Sequence, residues 1–158
     1  MKISFPHMGT SHIAFKHLIE HLGHEVIPPP APTGRTLDLG VKYAPEFACV
    51  PLKILLGTYL EALEKGADTI ITSGGVGPCR AGLYPYLHER ILKGLGYDCN
   101  IIIFEPPLYN IKDFFSKIGY ILKTGGKSWR QFWREFKTAW LKLCMLDDIE
   151  ILSHEIRP

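Results

Sequence analysis

The chain of 158 residues is 46% hydrophobic and 22% charged, with 18 basic against 16 acidic side chains and a formal net charge of +2. That length suits one domain with core enough to fold without staples, and the near-average composition excludes a disordered, collagen-like or mucin-like chain. The charge is too even to imply nucleic acid, no apolar run approaches the roughly 20 residues of a membrane span, and Met1 to Gly9 lacks a signal-peptide h-region. The expectation is a cytoplasmic protein with no transmembrane segment and no nucleic-acid partner.

Lys2 to Phe5 reads as a short strand that stops at Pro6. Ser11 is placed to cap a helix from His12 to about Leu22, with Ile13, Phe15, Leu18, Ile19 and Leu22 broadly on one side and Gly23 ending it. Glu25 to Ile27 reads as a second strand, closed by Pro28, Pro29 and Pro30. Breaks at Pro32, Gly34 and Pro45 predict a loop from Ala31 to Ala48 with one short helix near Thr36 to Tyr43. Pro51 suits the first turn of the next helix, which runs to about Lys65 and ends at Gly66. Asp68 to Ser73, with Thr69, Ile70, Ile71 and Thr72, has the composition of a buried parallel strand. Beyond Gly74, Gly75 and Gly77 a helix covers about Tyr84 to Leu95, and Asn100 to Phe104 is a fourth strand stopped by Pro106 and Pro107.

This alternation predicts an α/β fold over residues 1–107. It is a Rossmann-like open parallel sheet of about four strands, order 2-1-3-4, with helices on both faces. The switch point falls between the first and third strands, where sites form at carboxyl ends, so Pro6 to Ser11 and Gly74 to Arg80 are the loops of interest. Residues 108–158 read as a helical extension leading into a domain absent from this chain. Ile111 to Leu122 is a helix, Thr124 to Lys127 a turn, and Ser128 caps a second helix. On that helix, read over Trp129 to Leu143, Trp129, Phe132, Trp133, Phe136, Trp140 and Leu143 form one stripe, flanked by Arg130, Arg134 and Lys137; from Asp147 the chain turns acidic, with Asp148, Glu150 and Glu155. Packing is the first reading of the stripe, with an under-buried aromatic face expected; a membrane surface or nucleic acid is the second.

Cys49, Cys79, Cys99 and Cys144 form no CxxC pair, which leaves a zinc ribbon or thioredoxin motif unsupported. Cys79 lies between a strand end and a helix start, after Gly74, Gly75 and Gly77 and before Arg80. Glycines there permit close backbone approach, helix N–H groups favour an anion, and Arg80 adds positive charge. Cys49 precedes another helix, so the two thiols are candidates to meet at one crevice as metal ligands or nucleophiles, against the alternative of small buried hydrophobes. The glycine run is neither a Walker loop nor GxGxxG. Cys99 and Cys144 are assigned to packing. His7 and His12 flank the first loop, within reach of a ligand or simply solvated. His17 and His21 have i,i+4 metal spacing, but no acidic or cysteine neighbour accompanies them, which favours a polar helix face that continues to His24.

The segment Leu39 to Lys53, together with Glu61 to Ile71 and Gly74 to Arg80, resembles proteins related to the activases and cluster subunits of 2-hydroxyacyl-CoA dehydratases. The resemblance covers about residues 2–107. It implies an iron–sulfur protein of anaerobic metabolism, with Cys49 and Cys79 as ligands of a [4Fe–4S] cluster and Gly74, Gly75, Gly77 and Arg80 beside it. The implied role is low-potential electron transfer or radical dehydration of a 2-hydroxyacyl-CoA, as a component of a dehydratase-type lyase system. The implied partners are an ATP-dependent activator protein or second subunit, and an acyl-CoA substrate. A cubane takes about four ligands, or three with an open iron, and the motifs supply Cys49 and Cys79. The others are left to a further C-terminal part, a partner chain, or Cys99 and Cys144. The chain has no activator-type nucleotide motif, so ATP hydrolysis is not expected. The competing class is a non-redox binding or scaffold module holding a CoA-like or phosphorylated ligand.

Overall fold

A computed structural model describes residues 1–75 and 79–157. In chain order these form β1 (Lys2–Ser4), α1 (His12–His21), β2 (Glu25–Val26), α2 (Gly34–Tyr43), α3 (Val50–Glu64), β3 (Thr69–Ser73), α4 (Tyr84–Gly94), β4 (Asn100–Phe104), α5 (Ile111–Gly125) and α6 (Trp129–Ile156). The strands form one parallel sheet, order β2-β1-β3-β4, as expected from the alternation of strands and helices. β3 and β4 pair along their whole length, from Thr69 opposite Asn100 to Ser73 opposite Phe104.

Strand side chains alternate between the two faces of the sheet. Ile70 and Ile101 meet Leu56, Tyr59, Leu60 and Leu92 of α3 and α4. Ile71 and Ile102 point the other way, toward α1, α5 and α6, where Leu22, Ile118, Ile121, Leu122 and Phe132 close the second core. Sheet faces and helix faces thus bury each other, and the change of face between α1 and α3 sets the switch point between β1 and β3.

The contact between α2 and α3 depends on glycine. A Cβ at Gly40 would lie 1.8 Å from the Lys53 carbonyl oxygen, and one at Gly57 1.9 Å from that of Thr36. Thr36, buried in this contact, donates its hydroxyl to Glu61 at 3.2 Å. Thr33 and Thr36 form a capping box, which starts α2 at Gly34, ahead of the expected Thr36.

Three sequence expectations are corrected. Ser11 does not cap α1: it sits in a 3₁₀ turn, Gly9–Ser11, with helical φ −60° and ψ −20°, and its hydroxyl donates to the Met8 carbonyl. A capping serine needs extended backbone, which that turn denies it. The last helix, capped by Ser128 with Gln131, continues through the acidic stretch to Ile156. Cys144 is exposed, so it is not a packing residue, whereas Cys99 is half-buried against the α3/α4 core. The aromatic stripe is under-buried, as expected: Trp129, Trp133 and Trp140 are 42%, 55% and 58% exposed. Of the stripe Phe132 is buried, and with Glu135 and Ala139 it makes the buried face of α6. Among the described residues no helix is long and apolar enough to cross a membrane.

Candidate functional site

α3 and α4 run antiparallel to the strands, so their N-termini stand at the carboxyl edge of the sheet, where β3 ends. Cys49 is the N-cap residue of α3, with extended backbone (φ −70°, ψ 158°). Cys79, also extended, opens a 3₁₀ turn (Arg80–Leu83) that feeds directly into α4. Both thiols are exposed.

Tyr84, the first residue of α4, reaches Cys49. Its buried ring places the phenol hydroxyl in hydrogen-bond contact with Cys49 Sγ. That bond holds the Cys49 thiol below its ordinary pKa, with help from the Leu52 backbone and the nearby Arg80 guanidinium. Reciprocally, the bond to Cys49, burial, and the neighbouring charges of Cys49 and Cys79 push the Tyr84 phenol up to about 12, with Arg80 opposing them. Cys49, Cys79, Arg80 and Tyr84 are therefore one electrostatic group. The lowered pKa of Cys49, at a helix N-terminus, favours its thiolate form.

One turn further along α4, His88 is buried and donates Nε2–H to the Leu52 carbonyl at 3.1 Å. This bond ties α4 to the first turn of α3 and so holds Tyr84 against Cys49. Burial lowers the His88 pKa to about 4, which keeps the ring neutral. Tyr84 and His88 were not singled out from sequence. Their signal was the i,i+4 pair opening the helix just after the glycine loop, which places both on one face.

Gly74 and Gly75 pack against their own chain. A Cβ at Gly74 would come within 3.0 Å of Ile103, and one at Gly75 (φ +149°) within 2.9 Å of Pro106. Gly75 N–H also donates to the Gly82 carbonyl at 3.2 Å. Gly77 lies outside the described residues. Arg80 is exposed beside the thiols. Cys99 precedes β4 at the amino edge of the sheet, away from Cys49 and Cys79, and burial pushes its thiol up. His7 and His12 stack with ring centroids 6.1 Å apart, and His12 Nδ1 bonds the Gly9 carbonyl at 2.8 Å.

Two apolar surfaces lie at the carboxyl ends of the strands. Phe47, Val50 and Leu83 are 86%, 57% and 65% exposed and come from the same loops and helix starts as the cysteines. On the opposite face of the sheet, an apolar cavity of about 310 Å³ opens at the strand ends, lined by Phe5, Met8, Phe15, Ile71, Phe104 and Phe136 among others. Comparison with protein-family models, curated proteins and solved structures finds no match to this chain.

Proposed function

We propose that this domain contributes Cys49 and Cys79 as two thiolate ligands of a [4Fe–4S] cluster, serving low-potential electron transfer or radical dehydration in a 2-hydroxyacyl-CoA dehydratase-type system. The reading rests on the sequence resemblance, and one observation supports it: Cys49 at the start of α3 is hydrogen-bonded to Tyr84, the first residue of α4, and Cys79 opens the turn that feeds that same helix. The donor set fits half of a cluster site, since soft thiolates suit iron–sulfur centres. Cys99 stands at the other edge of the sheet and Cys144 on α6 of the other face, which leaves the remaining ligands to a further C-terminal part or a partner chain. The exposed Phe47, Val50 and Leu83 form an apolar rim for such a subunit to cover.

The cluster, when bound, supplies one-electron chemistry. The chain's own residues prepare its ligands. Tyr84 stabilises the Cys49 thiolate by donating its hydroxyl proton, Arg80 offsets the accumulated negative charge, and His88 holds the two helix starts together. The test is anaerobic reconstitution of the full chain, read as iron and sulfide per chain. Cys49→Ser and Cys79→Ser should each lose most of the iron with the fold intact, because a hydroxyl replaces a soft thiolate poorly. Cys99→Ser and Cys144→Ser should keep it. Equal iron in Cys79→Ser and the parent would refute the assignment.

A second reading draws on the apolar cavity, whose size and lining suit the acyl chain of a CoA-like ligand held without redox chemistry. Acyl-CoA binding by iron-free protein, undiminished in the Cys49→Ser and Cys79→Ser variants, would favour it over the cluster.

A further inference from the structure

On the other face of the sheet, and toward its amino edge, α1 and α6 bring a second set of ligand-type side chains together. His17 and His21 lie one turn apart on α1. Glu135, 114 residues beyond His21 in sequence, enters between them from the buried face of α6. One ligand atom from each of the three lies within 4.8 Å of the others. The acidic partner that the histidine pair lacks in sequence is supplied by tertiary packing.

We propose that His17, His21 and Glu135 bind one Zn²⁺ ion, with a fourth position open to water.

The individual atoms are arranged for it. His17 Nε2 is buried and has no hydrogen-bond partner among the described residues, although Glu135 Oε2 is 3.5 Å away. An unpartnered buried ring nitrogen costs stability unless something occupies the gap. Zinc bonds of roughly 2.0–2.1 Å put two ligands of a tetrahedron about 3.3 Å apart, so an ion fits between these two atoms with almost no movement. His21 Nδ1 donates to the His17 carbonyl at 2.8 Å, which fixes the tautomer with the lone pair on Nε2. Glu135 Oε1 accepts from Arg134 Nε at 2.8 Å, leaving Oε2 for the ion. These are the outer contacts that orient ligands at metal centres.

A salt bridge between His17 and Glu135 is the competing account, but at 3.5 Å the two atoms form no hydrogen bond, and such a pair leaves the convergence of His21 on the same point unexplained. Two imidazoles with one carboxylate select zinc-class ions over magnesium or calcium, which prefer all-oxygen sets. An open cleft of about 280 Å³, lined by Glu20, Lys127, Gln131 and Arg134 as well as His21 and Glu135, leaves the fourth position accessible. Because the ligands span two helices, the ion would also staple α6 to the sheet layer, and binding to the folded state alone raises apparent stability.

The test is zinc titration of the full chain carrying Cys49→Ser and Cys79→Ser, so that the thiols at the far edge do not compete. Calorimetry should give one Zn²⁺ per chain, and melting should shift upward with added zinc. Co²⁺ substitution should give a nitrogen- and oxygen-ligated spectrum without thiolate charge transfer. Adding His21→Ala, an exposed position, or Glu135→Gln, an isostere, should weaken affinity at least about tenfold and abolish the melting shift. Circular dichroism confirms that each variant is folded. Absence of saturable zinc uptake, undiminished uptake in both folded variants, or a thiolate-type Co²⁺ spectrum would each overturn the proposal. None of these outcomes depends on the cluster at the cysteine edge.

Discussion

At the scale of the residue, the chemistry rests on how Tyr84 and His88 set the state of their neighbours. Cys49 is lowered by the Tyr84 hydrogen bond, while Cys99 is raised by burial. Alkylation followed against pH by peptide mass spectrometry should therefore show Cys49 reacting at lower pH than Cys99. Tyr84→Phe should move the Cys49 midpoint upward and leave Cys99 where it was. A reversed order of the two cysteines would contradict the geometry around Tyr84. His88 titrates near 6.5 in the unfolded chain and near 4 in the fold, so the unfolded state takes up the proton first as pH falls. Stability is thus complete above about pH 6.5 and declines toward pH 4, by about 3 kcal/mol in all. His88→Gln, which keeps an N–H donor without titrating, should flatten that slope in urea melts taken across the same range. Neither residue's role was legible in sequence, because both depend on the Leu52 carbonyl and the Cys49 sulfur arriving from another helix.

At the scale of the element, glycine decides how close α2 and α3 come. Gly57→Ala would set a methyl 1.9 Å from the Thr36 carbonyl oxygen, which is backbone and cannot swing away. The expected loss is about 1–3 kcal/mol of unfolding free energy, typical of overpacking. Gly94→Ala in α4 meets nothing within 4 Å and should stabilise by about 0.5–1 kcal/mol, since alanine loses less entropy in a helix. Urea denaturation of the pair checks both signs at once. Element boundaries were readable where proline and glycine punctuate the chain: Gly23, Gly66 and Gly96 follow α1, α3 and α4 with positive φ. The extent of α6 was not, because acidic residues after Asp147 mark a change of charge without any helix breaker. No glycine or proline occurs between Ser128 and Arg157. The facing of α6 was hidden as well. Its tryptophans draw the eye, yet Phe132, Glu135 and Ala139 make the seam with the rest of the molecule.

For the whole molecule, the parallel α/β class is legible because alternating strands and helices with apolar strand runs are local cues, and the expected order 2-1-3-4 is the one the structure adopts. The sites are of longer range. One gathers two helix starts at the carboxyl edge over α3 and α4, and the other joins α1 to α6 on the opposite face. The glycine loop after β3 illustrates the difference. Its glycines read as a cradle for a bound group, and a Cβ at Gly74 or Gly75 would also crowd Ile103 or Pro106 of the same chain, a contact that no spacing in the sequence announces. Cys49 and Cys79 stand at the same edge. Their pairing is tested most directly with phenylarsine oxide, whose arsenic bonds two thiols only when both reach it. Applied to the reduced, iron-free chain and read by mass spectrometry, it should add one arsenic bridging Cys49 and Cys79, lost in either serine variant and kept in Cys99→Ser and Cys144→Ser. No stable adduct in the parent, or an adduct that survives Cys49→Ser and Cys79→Ser together, would contradict a shared thiolate site.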